Sequence, residues 1–205
     1  MTAERPTYLA DSASIQRTIS ALARRNVHAE VVTSGEAAKH RLIEMIPEGS
    51  QIFNSTSETL DHIGYSNYVR GNPRYTNLHD ALEQASDPAA QQNIRRDSLI
   101  AEYFIGSVQA IAETGEIVIA SASGSQISAY AFGAKNVILV AGTQKICADL
   151  ADAIERVRGY TVDRHDQWLE ERGVSASPIG KLMIMEYETA PERVNLILIQ
   201  EELGW

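Results

Sequence analysis

Segments of helical period and segments of strand period alternate along this chain, and that alternation is what most narrows its fold. Ile15, Ile19 and Leu22 repeat at helical spacing behind a capping Asp11 or Ser12. Residues 27–32 alternate as a strand, Thr33-Ser34-Gly35 turns the chain, and Ser34 caps a second helix carrying Leu42, Ile43 and Ile46. Pro47-Glu48-Gly49 stops that helix, and 50–53 forms a second short strand. Helix, strand, helix, strand predicts a mostly parallel α/β sheet flanked by crossover helices. Residues 136–141 place five apolar residues in a row behind Asn136, the pattern of a central parallel strand buried on both faces.

The remaining segments keep this rhythm. Residues 65–87, rich in Asn, Tyr, Gly and Pro, have the composition of a surface excursion, and Pro88 starts an amphipathic helix to about Leu99. Strands are expected at 103–107 and 116–120, with 110–113 a turn or bulged strand between them. A helical stretch runs from Gly124-Ser125 to Phe132-Gly133, a helix covers 149–158, and a helical connection covers 163–172. Two last strands, 181–187 and 194–199, are joined through Thr189-Ala190-Pro191-Glu192 as an expected hairpin at a sheet edge. One domain over 1–205 is expected, with 1–11 a loose N-terminal stretch.

Composition excludes several functions. The chain of 205 residues carries 27 acidic and 18 basic side chains, a net charge of −9, which disfavours a nucleic-acid grip built on clustered Lys and Arg. Arg95-Arg96 is followed at once by Asp97, and Arg24-Arg25 suits a cationic last helical turn. The single cysteine, Cys147, makes no internal disulfide and holds no iron–sulfur cluster or structural zinc alone. The first eleven residues lack the order of a signal peptide, and no apolar run approaches the roughly 18 residues of a membrane span. A cytoplasmic protein is expected. The histidines 28, 40, 62, 79 and 165 show no metal-ligand spacing, and no P-loop, G-x-G-x-x-G or G-x-S-x-G occurs, although a dispersed triad stays open.

Four constellations fall at strand ends, where open α/β sheets bind ligands. Asn54-Ser55-Thr56-Ser57-Glu58-Thr59 offers Ser55, Thr56, Ser57 and Thr59 to an anion, or merely caps a helix. Glu58 would repel that anion, so it is expected to point away. In Ala110-Ile111-Ala112-Glu113-Thr114-Gly115, Glu113 is a candidate catalytic base or nucleophile, or else a local turn ligand beside Gly115. Gly124, Ser125 and Gln126 are a second anion-binding candidate or a capped turn. Lys145, one of four lysines with Lys39, Lys135 and Lys181, is either a phosphate partner or a solvated surface charge. No metal ligands and no cofactor are assigned. Trp168 and Trp205 are assigned to packing or an interface, and a homo-oligomer is expected.

The runs A-E-Y-F-I-G-S-V-Q-A-I-A-E-T-G at 101–115, G-A-K-N-V-I-L-V-A-G-T-Q-K-I at 133–146 and D-L-A-D-A-I-E-R-V-R at 149–158 resemble the LUD domain, the lactate-utilization protein family. S-T-S-E-T-L-D-H-I-G at 55–64 and residues 194–204 also fit, so the resemblance covers most of the chain from about residue 12. It implies a Rossmann-like α/β fold similar to ribose-phosphate isomerase, glucosamine-phosphate deaminases, CoA transferases and formyltetrahydrofolate cyclo-ligase. Those enzymes bind phosphate or carboxylate at a similar Ser/Thr/Gly turn, and Glu113 resembles the Glu-containing turn of the CoA transferases. Many family members have G-N-R where this chain has Gly124-Ser125-Gln126, so an arginine clamp is missing here. The cysteine cluster of some relatives is also missing from these residues, and a ferredoxin-like fusion of the kind some relatives carry is not expected.

The resemblance implies a cluster-free subunit or small-anion-binding component in lactate or organic-acid utilization, with an iron–sulfur partner protein for any electron transfer. The rival expectation is a free-standing isomerase- or CoA-transferase-like enzyme. It would act on a phosphorylated or CoA-linked substrate with Glu113 as base or nucleophile.

Overall fold

The computed structural model describes residues 8–205, so most of the expected loose N-terminal stretch lies outside the described residues. In chain order the elements begin with α1 (Ser12–Arg24), β1 (His28–Val32), α2 (Gly35–Met45) and β2 (Gln51–Asn54). The Asp11 carboxylate accepts the Ser14 N–H at 2.7 Å and the Ser34 hydroxyl accepts that of Ala37 at 3.2 Å, so both helices start at their expected caps. Next come α3 (Glu58–His62), α4 (Tyr65–Val69), β3 (Thr76–Asn77), α5 (Leu78–Gln84) and α6 (Pro88–Asp97). The expected surface excursion is thus partly structural, because Tyr65, Val69 and Tyr75 are buried in it.

The chain continues with β4 (Tyr103–Ser107), β5 (Ala110–Ala112), β6 (Ile117–Ser121), α7 (Ser125–Ser128) and a π-helical turn at Ala129–Gly133. Then follow β7 (Asn136–Gly142), a 3₁₀ turn at Thr143–Lys145 and β8 (Ile146–Cys147). Last are α8 (Leu150–Arg156), a second π-helical turn at Val157–Thr161, α9 (Val162–Glu170), β9 (Lys181–Met185) and β10 (Val194–Ile199). Among the described residues no helix is long and apolar enough to cross a membrane.

Six strands form one parallel sheet in the order β1-β10-β7-β4-β2-β3. Side chains alternate across it. Ile138, Val140, Ile197 and Ile199 face the cluster of Leu42, Ile46 and Leu60, while Val137, Leu139, Leu196 and Leu198 face Ile15, Leu22 and Ile119. Each such side chain contributes about 1.5–3 kcal/mol by leaving water. The sheet therefore lies between α2–α4 on one face and α1 with a second sheet on the other. That second sheet has the order β8-β5-β6-β9, and its outer face packs Ala112, Val118 and Cys147 against Ala153 and Val157.

The expected terminal hairpin is corrected. β9 pairs antiparallel with β6 in the small sheet, whereas β10 runs parallel between β1 and β7 in the large one. The patterns explain the split. β10 is apolar at five of its six positions and buried at all except Asn195, which demands an interior place. β9 opens on exposed Lys181 and is only half-buried until Met185, which suits an edge. The crossing between them is pinned by Arg193, whose guanidinium meets the Glu188 carboxylate at 2.6 Å. It also donates to the carbonyls of Ala129, Tyr130 and Ala134 at 2.9, 2.9 and 3.0 Å.

Removing Arg193 takes the ion-pair partner from Glu188 and one donor from each of three carbonyls in a largely buried place. Arg193→Ala is expected to cost about 3–5 kcal/mol, read as a lowered midpoint in urea unfolding. An unchanged midpoint contradicts this role.

Candidate functional site

The parallel order brings the carboxyl ends of β2, β4 and β7 side by side. A cavity of about 670 Å³ opens there, closed on its far side by the β6–α7 loop, the second π-helical turn and α9. That is the size of a small-molecule site.

Lys145 lies at its inner wall. The 3₁₀ turn after β7 carries this side chain inward, and only 2% of it is exposed. Its amine donates to Thr59 Oγ1 at 3.0 Å and to Ser107 Oγ at 3.1 Å. Ser107 in turn donates to Thr59 Oγ1 at 3.2 Å, and Thr59 donates to the Leu203 carbonyl at 3.2 Å. These partners are neutral hydroxyls. Burial first, and the nearby Arg156 charge second, push the Lys145 pKa down to about 7. The expectation of a solvated surface lysine is therefore corrected: Lys145 is a buried amine that loses its proton near neutrality.

The segment after β10 holds this corner together. Gln144 Nε2 donates to the carbonyls of Leu203 and Gly204 at 3.0 and 3.3 Å. Gly204 sits at φ +62°, and a Cβ there would lie 2.5 Å from Thr59 Oγ1 and 3.5 Å from Lys145 Nζ. Gly106 is equally constrained, since a Cβ would collide with the Tyr130 hydroxyl and approach Ser55 Oγ to 2.7 Å. Tyr130, buried beneath the site, donates to the Ser107 carbonyl at 3.5 Å.

The hydroxyl-rich turn follows β2 directly. Ser55, Thr56, Ser57 and Thr59 all line the cavity. They divide their duties: Ser57 Oγ caps α3 by accepting the Leu60 N–H at 3.3 Å, and the Ser55 N–H is spent on the Ile105 carbonyl at 2.9 Å. Neither the Ser55 N–H nor the Leu60 N–H is therefore open to an anion. Glu58, expected to point away, also lines the cavity. The Trp168 indole N–H and His62, 3.6 Å from the second carboxylate oxygen, hold it there.

On the opposite side Ser125 and Gln126 line the same cavity. Gly124 adopts φ +89° and shapes the turn, with its N–H donating to Ser121 Oγ at 3.0 Å, while its neighbours Ser123 and Ser125 supply the wall. Gln126 is anchored by a 3.1 Å bond from its amide to the Ala120 carbonyl.

Glu113 lies elsewhere. Its carboxylate accepts from Arg17 Nε at 2.7 Å, from Arg17 Nη2 at 3.1 Å and from Ser14 Oγ at 2.5 Å, which ties α1 to the end of β5. The Arg17 guanidinium, then the Ser14 hydroxyl, hold it below the usual carboxylate range. Gly115 completes this turn at φ +99°, with space for a Cβ taken by Arg25 Cδ at 2.8 Å and the Ala21 carbonyl carbon at 2.9 Å. The local turn role fits these contacts, and Glu113 does not line the cavity.

Three residues on the cavity wall escaped sequence reasoning. Ser107 was legible only as the last residue of a strand. Trp168 stacks on His165 at 5.9 Å and carries the Arg172 guanidinium over its ring at 4.0 Å. Trp205 packs against it at 6.3 Å. Both indoles were assigned to packing or an interface, and both line the cavity. Among the described residues, no group of three or more His, Cys, Asp or Glu side chains is placed to hold a metal ion.

Comparison with known proteins bears on the family and the fold. No curated protein matches the chain. The crystal structure of a DUF162 family protein from Deinococcus radiodurans superposes with a TM-score of 0.58 at 11% identity, covering 94% of this chain and 99% of that one. At that identity the likeness speaks for the fold. The sequence profile of the LUD domain matches residues 15–197, nearly the whole described chain, and this protein belongs to the LUD domain family.

Proposed function

We propose that this LUD-domain protein binds a small organic acid or phosphorylated metabolite in the cavity at the carboxyl ends of β2, β4 and β7. The observation that carries this reading is the buried Lys145 amine, set among the Thr59 and Ser107 hydroxyls. A cationic amine without a carboxylate partner is costly to bury. A ligand acid group supplies the missing charge, and the hydroxyls of Ser55, Thr56 and Ser125 add neutral donors around it. With a net charge of −9, the protein offers an incoming anion no general attraction, so affinity rests on these local groups.

In this reading the protein serves lactate or related organic-acid utilization in the cytoplasm, as a cluster-free subunit or ligand-binding component. Its one cysteine leaves electron transfer to an iron–sulfur partner, and it acts as a homo-oligomer. A second reading, a free-standing isomerase- or CoA-transferase-like enzyme, draws support from the same amine. There Lys145, rather than Glu113, stands where a base is needed.

A thermal-shift and calorimetry panel of 2-hydroxy acids, 2-oxo acids and sugar phosphates tests the site. Lys145→Met is expected to weaken the best ligand at least tenfold, about 1.4 kcal/mol, while Glu113→Gln binds as the parent does. Equal binding by Lys145→Met defeats the reading. Recovery of an iron-containing partner with the tagged protein from lactate-grown cells tests the assembly.

Lys145 also sets a pH signature. Its folded pKa of about 7 lies below the ordinary lysine value, so the unfolded chain binds more protons above neutrality. The burial penalty is in full force below pH 7 and fades as the pH rises towards that of an ordinary lysine. Relative to Lys145→Met, the parent is expected to gain on the order of 5 kcal/mol across that window. Urea unfolding of both proteins at stepped pH measures the gap, and a gap that does not change with pH contradicts the buried amine.

A further inference from the structure

We propose that Lys145 is a nucleophile that forms an imine with the carbonyl carbon of a small 2-oxo acid held in this cavity. The inference rests on the organic-acid reading above and deepens it from reversible binding to covalent chemistry.

The geometry around the amine is the reason. A neutral primary amine has two N–H groups and one lone pair. Thr59 Oγ1 and Ser107 Oγ take the two N–H groups at 3.0 and 3.1 Å, and the lone pair is the valence that remains. The two hydroxyls are themselves oriented. Ser107 donates to Thr59, and Thr59 donates onward to the Leu203 carbonyl, so the amine is held by acceptors whose own protons are committed. Gly204 supplies no side chain where one would approach the amine to 3.5 Å. The pKa near 7 supports this geometry, since a substantial fraction of the side chain is uncharged at neutral pH.

The partner must be a carbonyl compound, because an amine lone pair adds to an electrophilic carbon. On the organic-acid reading it carries an acid group beside that carbon, which the Ser55 and Thr56 hydroxyls on the surrounding wall can meet on the side away from the Glu58 carboxylate. A 2-oxo acid is the smallest molecule that satisfies both. In the step, the nitrogen lone pair forms the new C–N bond and the carbonyl π pair moves to oxygen. The nitrogen loses a proton and the oxygen gains one, giving a carbinolamine. The nitrogen then gives up its second proton to that hydroxyl, which leaves as water while the nitrogen electron pair forms the C=N bond, so amine plus ketone gives imine plus water, with no change of oxidation state.

The three other lysines are an internal control. Lys135 and Lys181 are exposed, Lys39 is half-buried, and all three lie outside the cavity. The full chain is incubated with pyruvate, reduced with borohydride, digested and mapped by mass spectrometry. The expected result is a reduced adduct at Lys145 at least tenfold more abundant than at Lys39, Lys135 or Lys181, and diminished by excess lactate. Equal labelling of all four lysines overturns the proposal. So does absence of an adduct while calorimetry records pyruvate binding, an outcome that leaves the organic-acid cavity standing. Absence of both adduct and binding by any acid in the panel fails the two readings together. Lys145→Arg, checked for folding by circular dichroism, is expected to bind pyruvate without trapping it. Trapping by that variant elsewhere at the parent's level also overturns the proposal.

Discussion

The two-sided burial of the central parallel strands governs the rest of this molecule. β7 and β10 send alternate side chains into two separate apolar clusters, so helices must cover one face and a second layer the other. A parallel sheet also puts all its strand ends on one edge. The chain leaves β2, β4 and β7 at adjacent points of that edge, and the turns it makes there meet in one cavity. Site and core are consequences of the same hydrogen-bonded register.

Much of the fold was legible because it follows from local patterns. Asp11 and Ser34 cap the helices that their positions announce, and 136–141 reads as a buried strand from its apolar run. The assignment of β9 and β10 to a hairpin failed for an instructive reason. Proximity in sequence and a Pro-containing turn favour pairing, but β10 carries apolar residues on both faces, and only an interior position satisfies both. The fuller pattern was available and outweighs the turn.

The candidate site was half legible. Hydroxyl turns after strands identify themselves, and Ser55, Thr56, Ser57, Thr59, Ser125 and Gln126 do line one cavity. What sequence cannot express is the depth of a charged group. Glu113 and Lys145 look alike in that respect, each a polar residue near a strand end. The structure gives Glu113 an arginine and a hydroxyl that use up its carboxylate, and gives Lys145 two hydroxyls and an almost water-free wall. Those contacts come from α1, α3 and β4, tens of residues away in each case. Trp168 and Glu58, separated by 110 residues, meet for the same reason.

The Arg193 clamp has a bearing on the site. It fastens the passage between the two sheets to the π-helical turn whose Tyr130 supports Ser107. One set of contacts therefore joins the passage between the two sheets to the floor of the cavity. The half-buried indoles of Trp168 and Trp205 stand at the opposite rim, joined to α9 and to the segment after β10. The two indoles thus tie the segment after β10 to α9 across the cavity wall, and Trp168 carries that link on to Glu58.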